Sequence, residues 1–265
     1  MHPVLFEIAG FKVATYGLFY AGGALAGMYY LSRRRSELGL DADTLVNLCM
    51  TVFIAAILGG KALYIATMWG DYQGGFADRL RAALSDFRYG FVFFGGLMAS
   101  VGAAWWYLRR RSVPFFRTGD FFAPALALAH AIGRLGCFFA GCCHGRPTSS
   151  FIGVTFTDPR CSVEPGLLGL PLYPTQLMES AGNLILFFVL HKLLNASLRG
   201  KWRHGAVLLC YAAGYSVLRF AVEFFRGDDR GVWMGLSQAQ WIAILAVALC
   251  AAAWKYMPSG REGAK

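Results

Sequence analysis

Six ionisable side chains sit within or at the edge of apolar surroundings in this sequence: Lys61, His130, Arg134, Glu179, Arg219 and Glu223. In hydrocarbon a charged side chain costs at least ~2.5–3.5 kcal/mol at a helix centre, so each is a candidate for function. Helical spacing groups them. Tyr215, Arg219 and Glu223 are four apart and share a helix face. His130 and Arg134 share another, with Cys137 following one turn later, and Gln176 and Glu179 are three apart. Two arginines in an apolar setting suit an anionic phosphate, because a guanidinium keeps its charge and its planar fork takes two phosphate oxygens at once. Plainer readings stand beside this one. Arg219 and Glu223 can form an ion pair that only fixes helix register, His130 can make a packing hydrogen bond, and Lys61 can snorkel to a surface.

Cys137, Cys142, Cys143 and Cys161 form a second set, gathered around Gly141-Cys142-Cys143-His144-Gly145-Arg146. That segment reads as a tight turn entering or capping a pocket, since irregular backbone at membrane depth is tolerated only where it lines a cavity. Three thiol chemistries are open: a disulfide between Cys161 and one of the other three, a zinc site that includes His144 despite non-standard spacing, and a thiol that briefly carries a substrate group. Cys49, Cys210 and Cys250 lie in or beside apolar runs and read as small core residues. Gly95, Gly96, Gly133, Gly136, Gly141 and Gly145 are placed where backbones or ligands approach closely.

The elements that must hold these groups are apolar helices. The chain has 265 residues, 57% hydrophobic and only 15% charged, against about 25% charged in soluble proteins. Apolar stretches run over 13–31, 45–69, 90–108, 121–140, 176–194, 205–225 and 237–254, each close to the ~20 residues that cross a bilayer core. The expected fold is an all-α integral membrane protein of about seven transmembrane helices, in a single membrane-embedded domain over 1–265. No internal repeat or low-complexity tract is visible, and residues 2–12 are too short and mixed to read as a secretory signal.

Charge sets the expected orientation. Arg33, Arg34 and Arg35 follow the first stretch; Arg109, Arg110, Arg111 and Arg117 the third; Lys192, Arg199, Lys201 and Arg203 the fifth; Lys255, Arg261 and Lys265 the seventh. The opposite connections hold fewer: Lys12, Arg79, Arg81, Arg88, Arg146, Arg160, Arg226 and Arg230. Positive residues mark the cytoplasmic side, giving an outside N-terminus and a cytoplasmic C-terminus. Topology and anionic headgroups then account for the net charge of +10, and no nucleic acid partner is expected. The same orientation puts the ionisable groups in the outer halves of their helices, as a polar pocket opening to the outer leaflet. A transporter fits less well, because the charges gather at one face and no inverted repeat is visible. Asp78, Arg79, Arg81 and Asp86 are expected on an interfacial amphipathic helix, and Asp228-Asp229-Arg230 in a solvated turn.

The segment from Gly133 to Gly145 resembles the signature of prolipoprotein diacylglyceryl transferases, G-R-(I/L)-G-N-F-x-N-x-E-x-x-G. Other pieces follow in the family's order. Tyr16-Gly17-Leu18-Phe19-Tyr20 resembles Y-G-L-x-Y. Gly59-Gly60-Lys61-Ala62-Leu63-Tyr64 is similar to G-x-R-x-x-Y, and Gly95-Gly96-Leu97 to the end of the third-span motif. Residues 173–179 resemble H-P-(S/T)-Q-L-Y-E, residues 215–226 resemble Y-G-x-x-R-(F/I)-x-x-E-x-x-R, and Ser237-Gln238-Ala239-Gln240 the seventh-span start.

The resemblance implies a multi-pass enzyme of the bacterial inner membrane. It would move the diacylglyceryl group of phosphatidylglycerol to the thiol of a lipobox cysteine in an exported prolipoprotein, releasing glycerol phosphate. It carries the family's arginines onto Arg134 and Arg219, its sixth-span tyrosine and glutamate onto Tyr215 and Glu223, its N-terminal tyrosine onto Tyr16 and its loop glycine onto Gly145. Gln176, Glu179, Lys61, Gly95, Gly96 and Arg226 fall at substrate-binding positions. Membrane lipids are the further partner, and no metal or organic cofactor is implied, since the phosphoester supplies its own leaving group. The chain also departs from the pattern. Cys137 and Ala140 replace asparagines, Cys142 a glutamate, and Phe94 and Tyr173 histidines. With Phe94 unable to take a proton, His144, or Glu223 with Tyr215, would activate the thiol. The alternatives are a diverged paralogue with another acceptor, or a thiol, disulfide or metal-binding membrane protein on the same scaffold.

Overall fold

The computed structural model describes residues 2–8, 11–85, 90–227 and 231–256. Nine helices lie among them: α1 (Thr15–Arg33), α2 (Arg35–Leu38), α3 (Ala42–Thr67), α4 (Phe76–Ser85), α5 (Phe93–Arg110), α6 (Phe115–Ala140), α7 (Thr175–Leu198), α8 (Ala206–Glu223) and α9 (Gln238–Tyr256). Five of them, α3, α6, α7, α8 and α9, are long and apolar enough to cross a membrane. Seven helices coincide with the seven apolar stretches. Their ends differ, because hydropathy marks membrane depth and not the last hydrogen-bonded turn: α6 starts earlier, at Phe115, and α7 runs on to Leu198. The predicted amphipathic helix is α4, which carries Asp78, Arg79 and Arg81. Asp86 and Asp228-Asp229-Arg230 lie outside the described residues.

The all-α expectation needs one addition. Three antiparallel pairs of short strands link the helices: β1 (Val4–Ile8) with β2 (Phe11–Ala14), β3 (Val154–Thr155) with β4 (Pro171–Leu172), and β5 (Val232–Trp233) with β6 (Leu236–Ser237). They pair backbone groups that the connections would otherwise leave unmatched.

The chain divides into two compact units, Met1–Arg33 with Gly119–Lys265, and Arg34–Thr118. In the smaller unit α3 packs on α5 at glycines: a Cβ on Gly96 would lie 2.9 Å from the Ala56 carbonyl oxygen. Asp41 caps α3, its Oδ1 accepting from Thr44 N at 2.7 Å, and Arg111 donates to Thr44 Oγ1 at 2.9 Å. Lys61 does not snorkel. It is 4% exposed, with its ammonium 5.3 Å from the Tyr64 ring centroid and 5.7 Å from that of Phe91, where ring faces attract the charge.

In the larger unit α1 runs antiparallel to α6. A Cβ on Gly23 would meet the Ala129 carbonyl oxygen at 2.6 Å, so only glycine permits this approach. Ser180 on α7 donates to the Ala131 carbonyl of α6 at 2.7 Å. Asp120 ties α6 to α8: its carboxylate accepts from Gly205 N at 2.6 Å and Leu208 N at 2.9 Å. A carboxylate there satisfies orphan amides and meets the positive end of the α8 dipole. Asp120→Ala is therefore expected to destabilise the protein by ~1–2 kcal/mol, the scale of a lost cap, with Asp120→Asn retaining part of the loss; thermal unfolding in detergent reads both.

Candidate active site

Four helix ends of the larger unit converge: the C-terminal turns of α6 and α8 and the N-terminal turns of α1 and α7. Arg134 and Cys137 come from α6, Tyr16 from α1, Gln176 and Glu179 from α7, and Tyr215, Arg219 and Glu223 from α8. Tyr16 is brought to α6 by Gly136, whose Cβ would sit 3.0 Å from the Tyr16 carbonyl oxygen.

Glu179 is the centre of the charge arrangement. It is fully buried, with Oε2 3.0 Å from Arg134 Nε and Oε1 3.9 Å from Arg219 Nε. Arg219 Nη2 contacts Glu223 Oε2 at 2.5 Å, one helical turn along α8. Arg134 Nε donates to His130 Nε2 at 3.2 Å, so its approach to Glu179 is a charge contact and not an aligned hydrogen bond. Neither Glu179 oxygen accepts an aligned bond among the described residues, and Arg219 Nη1, Gln176 Oε1 and Asn183 Oδ1 are likewise buried and unmatched. Leaving such groups unsatisfied costs about 1–3 kcal/mol each, so the arrangement is built for something that supplies both acceptors and donors. Ser237 Oγ donates to Glu223 Oε1 at 2.9 Å, holding the far carboxylate, and the rings of His130 and Tyr215 lie 5.0 Å apart.

The segment after α6 crosses this cluster. Gly141 turns it at φ 77°, and Cys143 holds φ 61°, a left-handed conformation that non-glycine residues rarely adopt. Thr175 Oγ1 donates to the Cys143 carbonyl at 2.7 Å and Gln176 Nε2 to the Cys142 carbonyl at 2.8 Å. Gly145 then bridges to Arg226, its amide donating to the Tyr173 carbonyl at 2.8 Å. A Cβ on Gly145 would meet Tyr173 Cβ and the Phe225 carbonyl oxygen, both at 2.5 Å, so no side chain fits between them.

The sulfurs of Cys137, Cys142 and Cys143 all lie within 4.8 Å of one another. Hydrogen bonds from the Cys137 and Cys142 thiols, and then from Arg226, hold the Cys143 thiol below its ordinary value, while hydrogen bonds to Cys137 and Cys143 push Cys142 up. A lowered value means thiolate persists at lower pH. With a chelator present, iodoacetamide is expected to label Cys143 at pH values where an ordinary cysteine has stopped reacting, and Cys142 to lag behind it; peptide mapping across a pH series reads the order.

Residues 3–256 match the prolipoprotein diacylglyceryl transferase family. The chain belongs to that family. It is 35% identical over 248 residues to a phosphatidylglycerol–prolipoprotein diacylglyceryl transferase of Clostridium tetani, covering 93% of this chain and 94% of the relative. It is 36% identical over 245 residues to the second such transferase of Clostridium perfringens, covering 92% and 91%. With that of Aromatoleum aromaticum it shares 33% over 254 residues, covering 93% and 92%.

In this family member the structure gathers Arg134, Gln176, Glu179, Tyr215, Arg219 and Glu223 into one cluster, with Tyr16, Cys137, Cys142, Cys143, Gly145 and Arg226 at its rim. Lys61, Gly95, Gly96 and Phe94 belong to the other unit. Gly133 has nothing within 4 Å of a Cβ position, so it makes no close approach. The expected disulfide is not formed: all seven cysteines are free, and Cys161 packs with Phe156, Val163 and Leu172 in a small apolar core. His144 is not in the sulfur cluster; its Nδ1 donates to the Gly145 carbonyl at 3.0 Å, which leaves Nε2 as the acceptor of the neutral ring. Asn183 and Ser237 were missed as site residues. Asn183 lies one helical turn beyond Glu179, the signal that could have found it, and Ser237 is brought in by a loop whose path spacing does not encode.

Proposed function

We propose that this chain transfers the diacylglyceryl group of phosphatidylglycerol to the thiol of a lipobox cysteine in an exported prolipoprotein, with release of glycerol phosphate. The observation that carries the reading is the pair Arg134 and Arg219 on either side of buried Glu179, with unmatched groups of both kinds around it. Among the described residues Arg219 Nη1 is an unmatched donor, suited to a phosphate oxygen, and Gln176 Oε1 and Asn183 Oδ1 are unmatched acceptors, suited to the hydroxyls of a glycerol headgroup. The activity for which the relatives are named supports the same reaction.

In the proposed reaction the acceptor sulfur attacks the glyceryl carbon, the bond from that carbon to the phosphate oxygen breaks, and the electron pair leaves on the phosphate. Arg134 and Arg219 meet the charge that develops there, at fixed positions out of bulk water. Glu223, anchored by Ser237, orients Arg219; Tyr215 stands beside Arg134; in this reading His144 takes a proton through Nε2, and Tyr16, Gly145 and Arg226 shape the entry. The enzyme crosses the bacterial inner membrane seven times within a single domain, with its N-terminus outside, its C-terminus in the cytoplasm and its site facing the outer leaflet. The alternate distribution of basic residues supports that orientation.

The test is purified protein mixed with phosphatidylglycerol and a lipobox peptide, read by peptide mass. A gain of one diacylglyceryl group on the cysteine peptide and none on its serine counterpart is expected. No gain from folded protein would overturn the reading.

A further inference from the structure

The cluster of Cys137, Cys142 and Cys143 has no task in the phosphate clamp. Its three sulfurs fall within 4.8 Å of one another. Thiolates around a tetrahedral zinc ion, each ~2.3 Å from the metal, stand roughly 3.8 Å apart, so a small adjustment of side chains closes the set. The backbone already fixes the trio. Cys143 is held at φ 61°, the Cys142 and Cys143 carbonyls are tied to Gln176 and Thr175, and Cys137 rides on α6. Cys137 is buried, while Cys142 and Cys143 are half-buried.

Charge fits as well. Three thiolates around a divalent ion leave one net negative charge. Arg226 lies beside Cys143, and Arg134 lies near Cys137 and Cys143, so two cations stand ready to offset it. Soft thiolates select zinc and similar thiophilic ions over hard ones. No fourth ligand comes from His144, which lies outside the set. Three protein ligands with a vacant fourth position is the pattern of a reactive zinc site and not of a closed structural one.

We propose that Cys137, Cys142 and Cys143 bind a zinc ion whose fourth position takes the acceptor peptide's cysteine thiol. Coordination releases the thiol proton to solvent and presents the sulfur as a thiolate. That sulfur forms its bond to the glyceryl carbon as the carbon–oxygen bond breaks, and the oxygen's electron pair leaves with glycerol phosphate. The thioether product carries no charge and is a poor zinc ligand, so it departs. The identity of the fourth ligand rests on the transferase reading; the metal site itself does not.

The test uses full-length protein in detergent. Zinc content is measured by elemental analysis and zinc affinity by competition with a chromophoric chelator, and cobalt is then substituted to follow thiolate-to-metal charge-transfer bands. One ion per chain is expected in the unaltered protein and in Cys161→Ser, with affinity at least tenfold weaker in Cys142→Ser and in Cys143→Ser. Adding the lipobox peptide should shift the cobalt bands, and its serine counterpart should not. Bound zinc well below one per chain, or equal affinity in all variants, overturns the site. Cobalt bands that ignore the cysteine peptide overturn its role as fourth ligand. Transfer at full rate by metal-free protein also overturns that role and leaves the transferase reading standing. Stoichiometric zinc and peptide-shifted bands without any transfer keep the metal site and remove the transferase reading instead. Because the chelator competition runs on unaltered protein, a misfolded cysteine variant does not block the outcome.

Discussion

Arg134→Ala is expected to lower the rate of diacylglyceryl transfer by about 10²–10³, the loss seen when one fixed donor to a developing anion is removed. Arg134 comes off α6 one helical turn from His130, to which its Nε donates, and its charge is steered by Glu179 at 3.0 Å. A lysine at this position keeps the charge but not the planar fork, so Arg134→Lys should recover only part of the rate. Single-turnover kinetics with saturating phosphatidylglycerol separates this from weaker lipid binding. A transition-state role lowers kcat and kcat/KM together, whereas a headgroup tether alone raises KM.

Glu179→Leu is expected to be the most destabilising single change in the site, at about 3–5 kcal/mol, because it leaves two largely buried guanidiniums without their shared carboxylate. Glu179 is fully buried and lies against both Arg134 and Arg219, while Glu223 compensates only Arg219. Adding Arg134→Met to Glu179→Leu removes the uncompensated cation and should restore most of the stability without restoring activity, since a buried ion pair replaced by apolar groups of similar size is often neutral. Thermal unfolding in detergent reads the stability arm and the peptide-mass assay the activity arm. A double variant as unstable as the single one would show that Glu179 acts through packing and not through charge.

Much of this site was legible from spacing. The four-residue steps from Tyr215 to Glu223 and from His130 to Arg134 put each set on one face because an α-helix repeats in 3.6 residues, and the helices obey that. The apolar stretches found the long helices, since hydrophobicity over ~20 residues has few other uses. What spacing could not show is how the faces turn toward one another. Glu179 lies between two arginines because α7 meets α6 and α8 at their ends, a tertiary fact. Nothing in the spacing marks Asp120, and only the fold reveals it as the cap of α8. The cysteines show the limit most clearly. Cys161 reads in the sequence as one of the same set but goes to an apolar core, whereas Cys137, on the preceding helix, joins Cys142 and Cys143 because Gly141 reverses the chain.

The most direct test of the central claim is to count both products of one reaction. Protein in phosphatidylglycerol nanodiscs with the lipobox peptide should release glycerol phosphate and form diacylglyceryl peptide in equal amounts, with both falling together in Arg134→Ala. Glycerol phosphate released without modified peptide would mean that the arginine pair serves hydrolysis and not transfer, and would contradict the account.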